Sequence, residues 1–168
     1  MKRKSAVTAG ALSALLLAAC SAPQLVDMSA PMKDGQFEGA SNPDNQGAVG
    51  HVTITVKDGK IADAKYVTLR KDGSAKDANY GKSSDGQIGN EEYYKSAQKA
   101  VASYGQYAHA LVEKQNPDEI AVISGATVGH SQFIQAAARA ILKAQGREDD
   151  GTVDSVTVPD LELDESDY

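Results

Sequence analysis

Cysteine, tryptophan and histidine are scarce in this chain. Its 168 residues include one cysteine, no tryptophan, three histidines and only 5% aromatic side chains. A single thiol, Cys20, excludes a disulfide framework. Three scattered histidines with no second cysteine are a poor basis for a structural zinc site. Positive charge is also short, with 17 Lys+Arg against 23 Asp+Glu and a net charge of -6. That balance argues against a nucleic-acid partner, because neutralising phosphates requires a basic face. The longest apolar stretch, residues 6–19, is too short to remain as a comfortable membrane-spanning helix. What is left, 41% hydrophobic and 24% charged, is the composition and length of one globular domain with an appendage.

The appendage comes first. Met1-Lys2-Arg3-Lys4 is a basic segment ahead of the small and apolar residues 6–19, the form of a secretory signal peptide covering residues 1–19. It ends Leu17-Ala18-Ala19-Cys20, which resembles the lipobox of bacterial lipoproteins. The resemblance implies cleavage before Cys20, acylation of its sulfur, and a lipid anchor on the outer face of the cell membrane. More than one acyl chain is what stable anchoring requires. The alternative is an ordinary cleaved signal with an incidental cysteine. Residues 20–33, with Pro23 and Pro31 and no helical or strand period, read as the lipidated cysteine and a tether.

Charge is unevenly placed along the remainder. Residues 34–146 hold 12 basic and 13 acidic side chains, whereas residues 147–168 hold nine acids and Arg147 alone. The acidity therefore belongs to a C-terminal tail. Its valines and leucines, interleaved with acids and Pro159, leave two options, an edge strand or a disordered segment, and the composition favours disorder.

Between them, residues 36–40 suggest a short strand and residues 42–47 a loop. Residues 52–56 alternate apolar with hydroxyl side chains, and Asp58-Gly59 is a strong hairpin signal returning into residues 61–69, with Val67 and Leu69 on one face. Residues 71–90, with four glycines, read as a long surface loop. Tyr94, Ala97, Val101, Tyr104, Ala108 and Leu111 fall at helical spacing, and Asn116-Pro117 stops that helix. Residues 120–123 are wholly apolar and predict a strand buried on both faces. A second helix is predicted over residues 131–145, closed by Gly146. The order implies an α+β fold, one small domain with an antiparallel hairpin sheet packed against two main helices.

The informative segment reads Ser124-Gly125-Ala126-Thr127-Val128-Gly129-His130-Ser131. Hydroxyls and very small residues ahead of a helix N-terminus suit a phosphate. The backbone can approach its oxygens, the first helical N–H groups are unpaired, and the helix dipole favours an anion. The plain alternative is a turn with His130 or Ser131 as helix cap.

Ser124-Gly125-Ala126-Thr127 also resembles the flavinylation motif of the FMN-binding domain found in the C subunit of the sodium-pumping quinone reductase, the G subunit of the Rnf complex, and small exported lipoproteins. The resemblance covers roughly residues 34–146. It extends to Asp34-Gly35-Gln36-Phe37, to the hairpin of residues 52–61, and to Val112-Glu113-Lys114-Gln115-Asn116-Pro117-Asp118. It implies an FMN cofactor held at Ser124, Gly125, Ala126 and Thr127; His130 is a separate candidate to contact the phosphate or the ring, with a plain helix cap as the favoured alternative. It also implies a flavin transferase that uses FAD as donor and esterifies Thr127, and a membrane-bound electron donor. The chain departs from the motif where Ala121 stands three residues before the serine in place of the usual Asp, and where Gly129 and His130 replace its usual continuation. Covalent and non-covalent attachment both stay open on that account. Tyr80, Tyr93 and Tyr94 are candidates to stack on a flavin, while His51 and His109 read as surface or core residues. No nucleophile elbow surrounds Ser124. The reading is an electron carrier more than a stand-alone enzyme. The alternatives are a lipoprotein that keeps the fold without the flavin and serves as an interaction module, and an extracellular reductase.

Overall fold

The computed structural model describes residues 24–161. The signal segment, Cys20 with the start of the tether, and the last seven residues of the tail lie outside them. Among the described residues no helix is long and apolar enough to cross a membrane.

Three strands, β1 (Gly35–Ala40), β2 (Val49–Lys57) and β3 (Lys60–Leu69), form one antiparallel meander in that order. Two helices, α1 (Glu91–Lys114) and α2 (Thr127–Ala144), cover one face of it. Single 3-10 turns occupy Pro117–Glu119 and Thr152–Ser155. The α+β architecture expected from the sequence is thus what the chain adopts.

Alternation builds the sheet. In β2, Gly50, Val52, Ile54 and Val56 face the helices, and His51, Thr53 and Thr55 face outward. The Asp58-Gly59 turn has positive φ at both residues, 53° and 71°, the twist that joins two adjacent strands tightly. β3 changes phase along its length. Ile61 is buried, yet further along the buried residues are Tyr66 and Thr68. A bulge opposite Thr55 and Val56 absorbs the extra residue and flips the side-chain parity. Val67 and Leu69 share one face, as expected, and the bulge makes it the outer one, where Val67 is exposed.

Helix α2 lies on β1 and β2 through a face of Ala136, Ala137, Ala140 and Ala144, all fully buried. The approach is close: a Cβ on Gly39 would sit 2.0 Å from the Ala136 carbonyl oxygen. Both outer strands have edge groups satisfied by side chains. Lys143 and Arg139 donate to the Glu38 and Ala40 carbonyls of β1, at 2.7 and 2.9 Å. Gln115 accepts from the Ile61 N–H and donates to its carbonyl, at 2.9 and 2.8 Å, closing the start of β3. Near the other end of β3, Leu69 bridges to Ala75. Parts of both sheet edges are covered in this way.

One expectation is corrected. Residues 120–123 form no strand, and the Ile123 N–H goes to the Tyr107 hydroxyl at 2.9 Å instead of to a neighbouring strand. Ile120 is buried, but Val122 is 51% exposed. The second helix also begins earlier than predicted, at Thr127, so neither His130 nor Ser131 is its cap. Its end is as expected. Gly146, at φ 70°, donates to Lys143, and Arg147 donates to Leu142, a closure that pairs the last carbonyls.

Both presumed appendages are docked where described. Leu25 and Val26 are buried in the core, and the Leu25 N–H donates to Asp118 at 3.0 Å, so the tether reading fails from Leu25 onward. Through Leu161, the last described residue, the tail adds no edge strand and is not loose. Val153 is fully buried, and Arg139 pairs with Asp149 and Asp154 at 2.8 and 2.7 Å. A half-buried arginine on α2 supplies the partner that composition alone could not reveal.

Gly39→Ala is expected to destabilise the fold by roughly 3 kcal/mol, because the strand must lift from the helix. Gly105→Ala, in an open position inside α1, is expected to stabilise by about 0.5–1 kcal/mol. Urea unfolding of the two variants measures both signs. Burial raises the Asp149 carboxyl, but Arg139 and the Gly151 N–H outweigh it and hold it below the ordinary carboxylate range. Its contribution is therefore present above the unfolded-state value and is lost as pH falls through the lowered one. Proteolysis near Val153 is expected to accelerate only on that acid limb, and in Arg139→Met the acid dependence should flatten.

Candidate functional site

The connection from Ile120 to Ala126 carries no regular structure and is shaped by Tyr107 of α1. This residue is 1% exposed. Its hydroxyl accepts from the Ile123 N–H at 2.9 Å and donates to the Ala126 carbonyl at 3.3 Å. The backbone reverses at Gly125, with φ 82°, a region that only glycine enters at no cost. The buried Ala126 then opens α2 with no side-chain cap, and its carbonyl accepts from His130 N–H at 2.8 Å. One turn on, Tyr66 of β3 donates to the Gly129 carbonyl at 2.8 Å. Burial pushes the Tyr66 and Tyr107 hydroxyls above the ordinary phenol range, so both remain donors at neutral pH.

The first turn of α2 contrasts with that of α1. Asn90 caps α1 by accepting from Tyr93 N–H, and Glu91 and Glu92 follow it. The first turn of α2 contains no acid, and among the described residues the N–H groups of Thr127, Val128 and Gly129 have no acceptor. The Lys99 side chain lies over the turn, with its Nζ 3.3 Å from where a Gly125 Cβ would stand. Helix dipole and open amides thus combine at the first turn of α2, with an ammonium group beside the preceding Gly125.

That point lines a cleft of about 710 Å3. Gly125 to Gly129 form one boundary, and Tyr93, Ala97, Ala100 and Tyr104 of α1 form a second. Lys76 and Tyr80 come from the long loop, and Asp160 and Leu161 from the docked tail. Asn45 holds the Leu161 backbone through both its N–H and its carbonyl, at 3.1 Å each. Burial raises the Tyr80 and Tyr104 hydroxyls, and the nearby Asp44 charge acts in the same direction, so the aromatic wall is neutral. Size and lining fall within the range of small-molecule sites.

The sequence candidates divide. Gly125, Ala126 and the exposed Thr127 line the cleft, whereas Ser124 is exposed beside it and does not. His130 points to the other side. Its Nε2 donates to the Ile120 carbonyl at 2.7 Å, and its ring lies 5.3 Å from that of Tyr107, beside a separate hollow with Leu25 and Pro117. It braces the turn from behind and is not assembled with the other candidates. Of the tyrosines, Tyr80 and Tyr93 line the cleft, and Tyr94 is tied to the Ala78 carbonyl outside it. His51 and His109 pair on the outer surface with Glu38 and Glu113. Ala121 is exposed, and of the nearest acids Asp118 is engaged with Leu25 and Glu119 with Asn116. Among the described residues no three metal-ligating side chains converge.

Sequence reasoning missed Lys76, Lys99 and Tyr107. Tyr107 falls outside the helical stripe by which α1 was recognised, and the two lysines carry no local signal.

No protein-family model matches the chain, and no curated protein matches its sequence. Two solved structures are similar to it. The crystal structure of the CPE2226 protein from Clostridium perfringens, a structural-genomics target, aligns with 78% of this chain and 99% of its own at 26% identity and a TM-score of 0.54. The solution structure of a protein from Clostridium thermocellum covers 71% of this chain and 96% of its own, also at 26% identity, with a TM-score of 0.39. The first likeness extends over essentially the whole described unit and supports its fold.

Tyr107→Phe is expected to leave the Ile123 N–H and Ala126 carbonyl unpaired, costing about 1–3 kcal/mol. Amide exchange at Ile123 and Thr127 should accelerate more than at Leu111 in the same variant.

Proposed function

We propose that the chain is an extracytoplasmic flavoprotein that holds FMN in this cleft and relays electrons, anchored to the outer face of the cell membrane through Cys20. The observation that carries the reading is the meeting of the uncapped Thr127–Gly129 amides and Thr127 itself at one end of a cleft with a tyrosine wall, with the Lys99 side chain beside the neighbouring Gly125. A phosphoryl group needs the first set, and a planar aromatic ring suits the second. The residues present therefore fit the cofactor that the motif implies. The amides would hold the phosphate, Gly125 would let the backbone approach it, and Lys99 would neutralise part of its charge.

When bound, the flavin would supply the one- and two-electron chemistry, and the protein its position and electrostatic surroundings. Attachment would be the work of a flavin transferase. The Thr127 oxygen would bond to the FMN phosphorus of FAD as the diphosphate bond breaks, with AMP as leaving group and loss of the hydroxyl proton. Thr127 is exposed enough for such an enzyme to reach it. A membrane-bound donor would then reduce the carrier.

Ala121, exposed where the motif usually has Asp, favours a second reading in which the fold persists as an interaction module without flavin. One experiment separates the two. Mature protein co-produced with a flavin transferase is expected to be yellow and to carry one FMN on the Thr127 peptide, and Thr127→Ala should lose the adduct. A yellow protein without an adduct keeps the site and removes the ester. Colourless protein that also ignores added FMN overturns the proposal.

A further inference from the structure

Lys76 of the cleft wall forms a buried ion pair with Asp44. Lys76 Nζ lies 3.0 Å from Asp44 Oδ2, with side-chain exposures of 6% and 0%. Asp44 is fully engaged. Its Oδ1 accepts from the Gln46 and Ala48 N–H groups at 3.0 and 2.8 Å, while Oδ2 takes the lysine. Lys76 is less satisfied, because an ammonium has three N–H donors and Asp44 is the one acceptor recorded for it among the described residues. One side of the ammonium is covered by the Tyr80 ring, 5.0 Å from its centroid. The backbone fixes its place, since Lys76 N–H donates to the Thr68 carbonyl of β3 at 2.8 Å.

A buried ion pair is seldom the most stable filling for such a site, and apolar residues of similar volume usually serve as well or better. Lys76 also lines the same cleft as Gly125, Ala126 and Thr127. The other acids of the lining, Glu92 and Asp160, are exposed and screened by water. Lys76 is therefore the buried cation of the cleft lining, paired with Asp44 and with N–H donors to spare.

Resting on the FMN reading above, we infer that Lys76 is a cofactor-binding residue that presents its ammonium to the polar edge of the flavin ring and favours the reduced, negatively charged form. Two-electron reduction takes up two electrons and one proton at neutral pH, leaving one negative charge on the ring system. In the test the reductant is dithionite. A fixed ammonium beside that edge raises the reduction potential, and Asp44 holds the ammonium in place while leaving its other N–H groups to the ligand. Lys76 thus tunes the carrier, whereas Lys99 and the α2 amides hold its phosphate end.

The test compares wild type, Lys76→Arg, and a double variant, Lys76→Met with Asp44→Asn, which removes both charges and leaves neither buried alone. All are loaded with FMN, and the oxidised-to-reduced ratio is followed by absorbance against a reference dye. The double variant is expected to bind FMN with its equilibrium shifted toward the oxidised form at least tenfold, about 30 mV for two electrons. Lys76→Arg should stay within threefold of wild type. A shift below threefold in the double variant, or an equal shift in Lys76→Arg, overturns the inference while leaving the FMN reading intact.

A second measurement needs no variant. In lysine-labelled wild-type protein, the Lys76 side-chain NMR signals should move on adding FMN and again on reduction, with those of exposed Lys114 still. Unmoved Lys76 signals in a protein that has bound FMN contradict the inference. A wild type that binds no FMN at all refutes the reading beneath it instead.

Discussion

The close seating of α2 on β1 is the constraint on which the rest depends. Alanines on the helix and Gly39 on the strand bring two backbones to a distance that no intervening side chain would permit. Dense packing of this kind leaves little room for sliding or rotation. Arg139 and Lys143 then reach across to the strand carbonyls, and Gln135 ties the same helix to the N–H of Asn42 and the carbonyl of Val156. The helix is pinned along its length, so the position of its first turn is determined by the sheet. A ligand-binding turn profits from that rigidity, because its amides keep their direction without help from the ligand.

The two helix starts show how one protein treats the same problem differently. At α1 the orphan amides are met within the chain by Asn90, and the dipole by two glutamates. At α2 the residues that could have capped the helix are absent, and Tyr107 and Tyr66 support carbonyls of the turn instead. The polar groups that remain open all face one cleft. Around it the chain has gathered elements far apart in sequence: α1, the long loop, and the docked tail. Lys76 and Asp44 belong to two different loops and meet only because β2 and β3 bring those loops to the same end of the sheet.

Much of this was legible in the sequence where local rules dominate. Alternation marked β2, Asp58-Gly59 marked the hairpin, and the spacing from Tyr94 to Leu111 marked α1. The Ser-Gly-Ala-Thr turn was found because its residues are small, polar and adjacent. The failures share a cause. Residues 120–123 look like a strand by composition, but the Ile123 N–H is taken by Tyr107 of α1 and Val122 is exposed, so the segment pairs with no strand. The docked tail depends on Arg139, and the docked N-terminal segment on Asp118, partners that only the fold brings near. His130 sits in the motif by sequence, but helical geometry turns it to the opposite face. The change of face within β3 follows from one bulged residue, which periodicity alone does not register.

The central claim is that the opening turn of α2 receives a phosphoryl group. Amide NMR of the protein during titration with FMN, and separately with riboflavin, which has the same ring but no phosphate, addresses it directly. The account predicts that FMN shifts the Thr127, Val128 and Gly129 amides strongly, and that riboflavin leaves them nearly unmoved while still perturbing residues near Tyr80 and Tyr104. Equal effects of both compounds on those amides, or FMN shifts confined to another part of the protein, would contradict it.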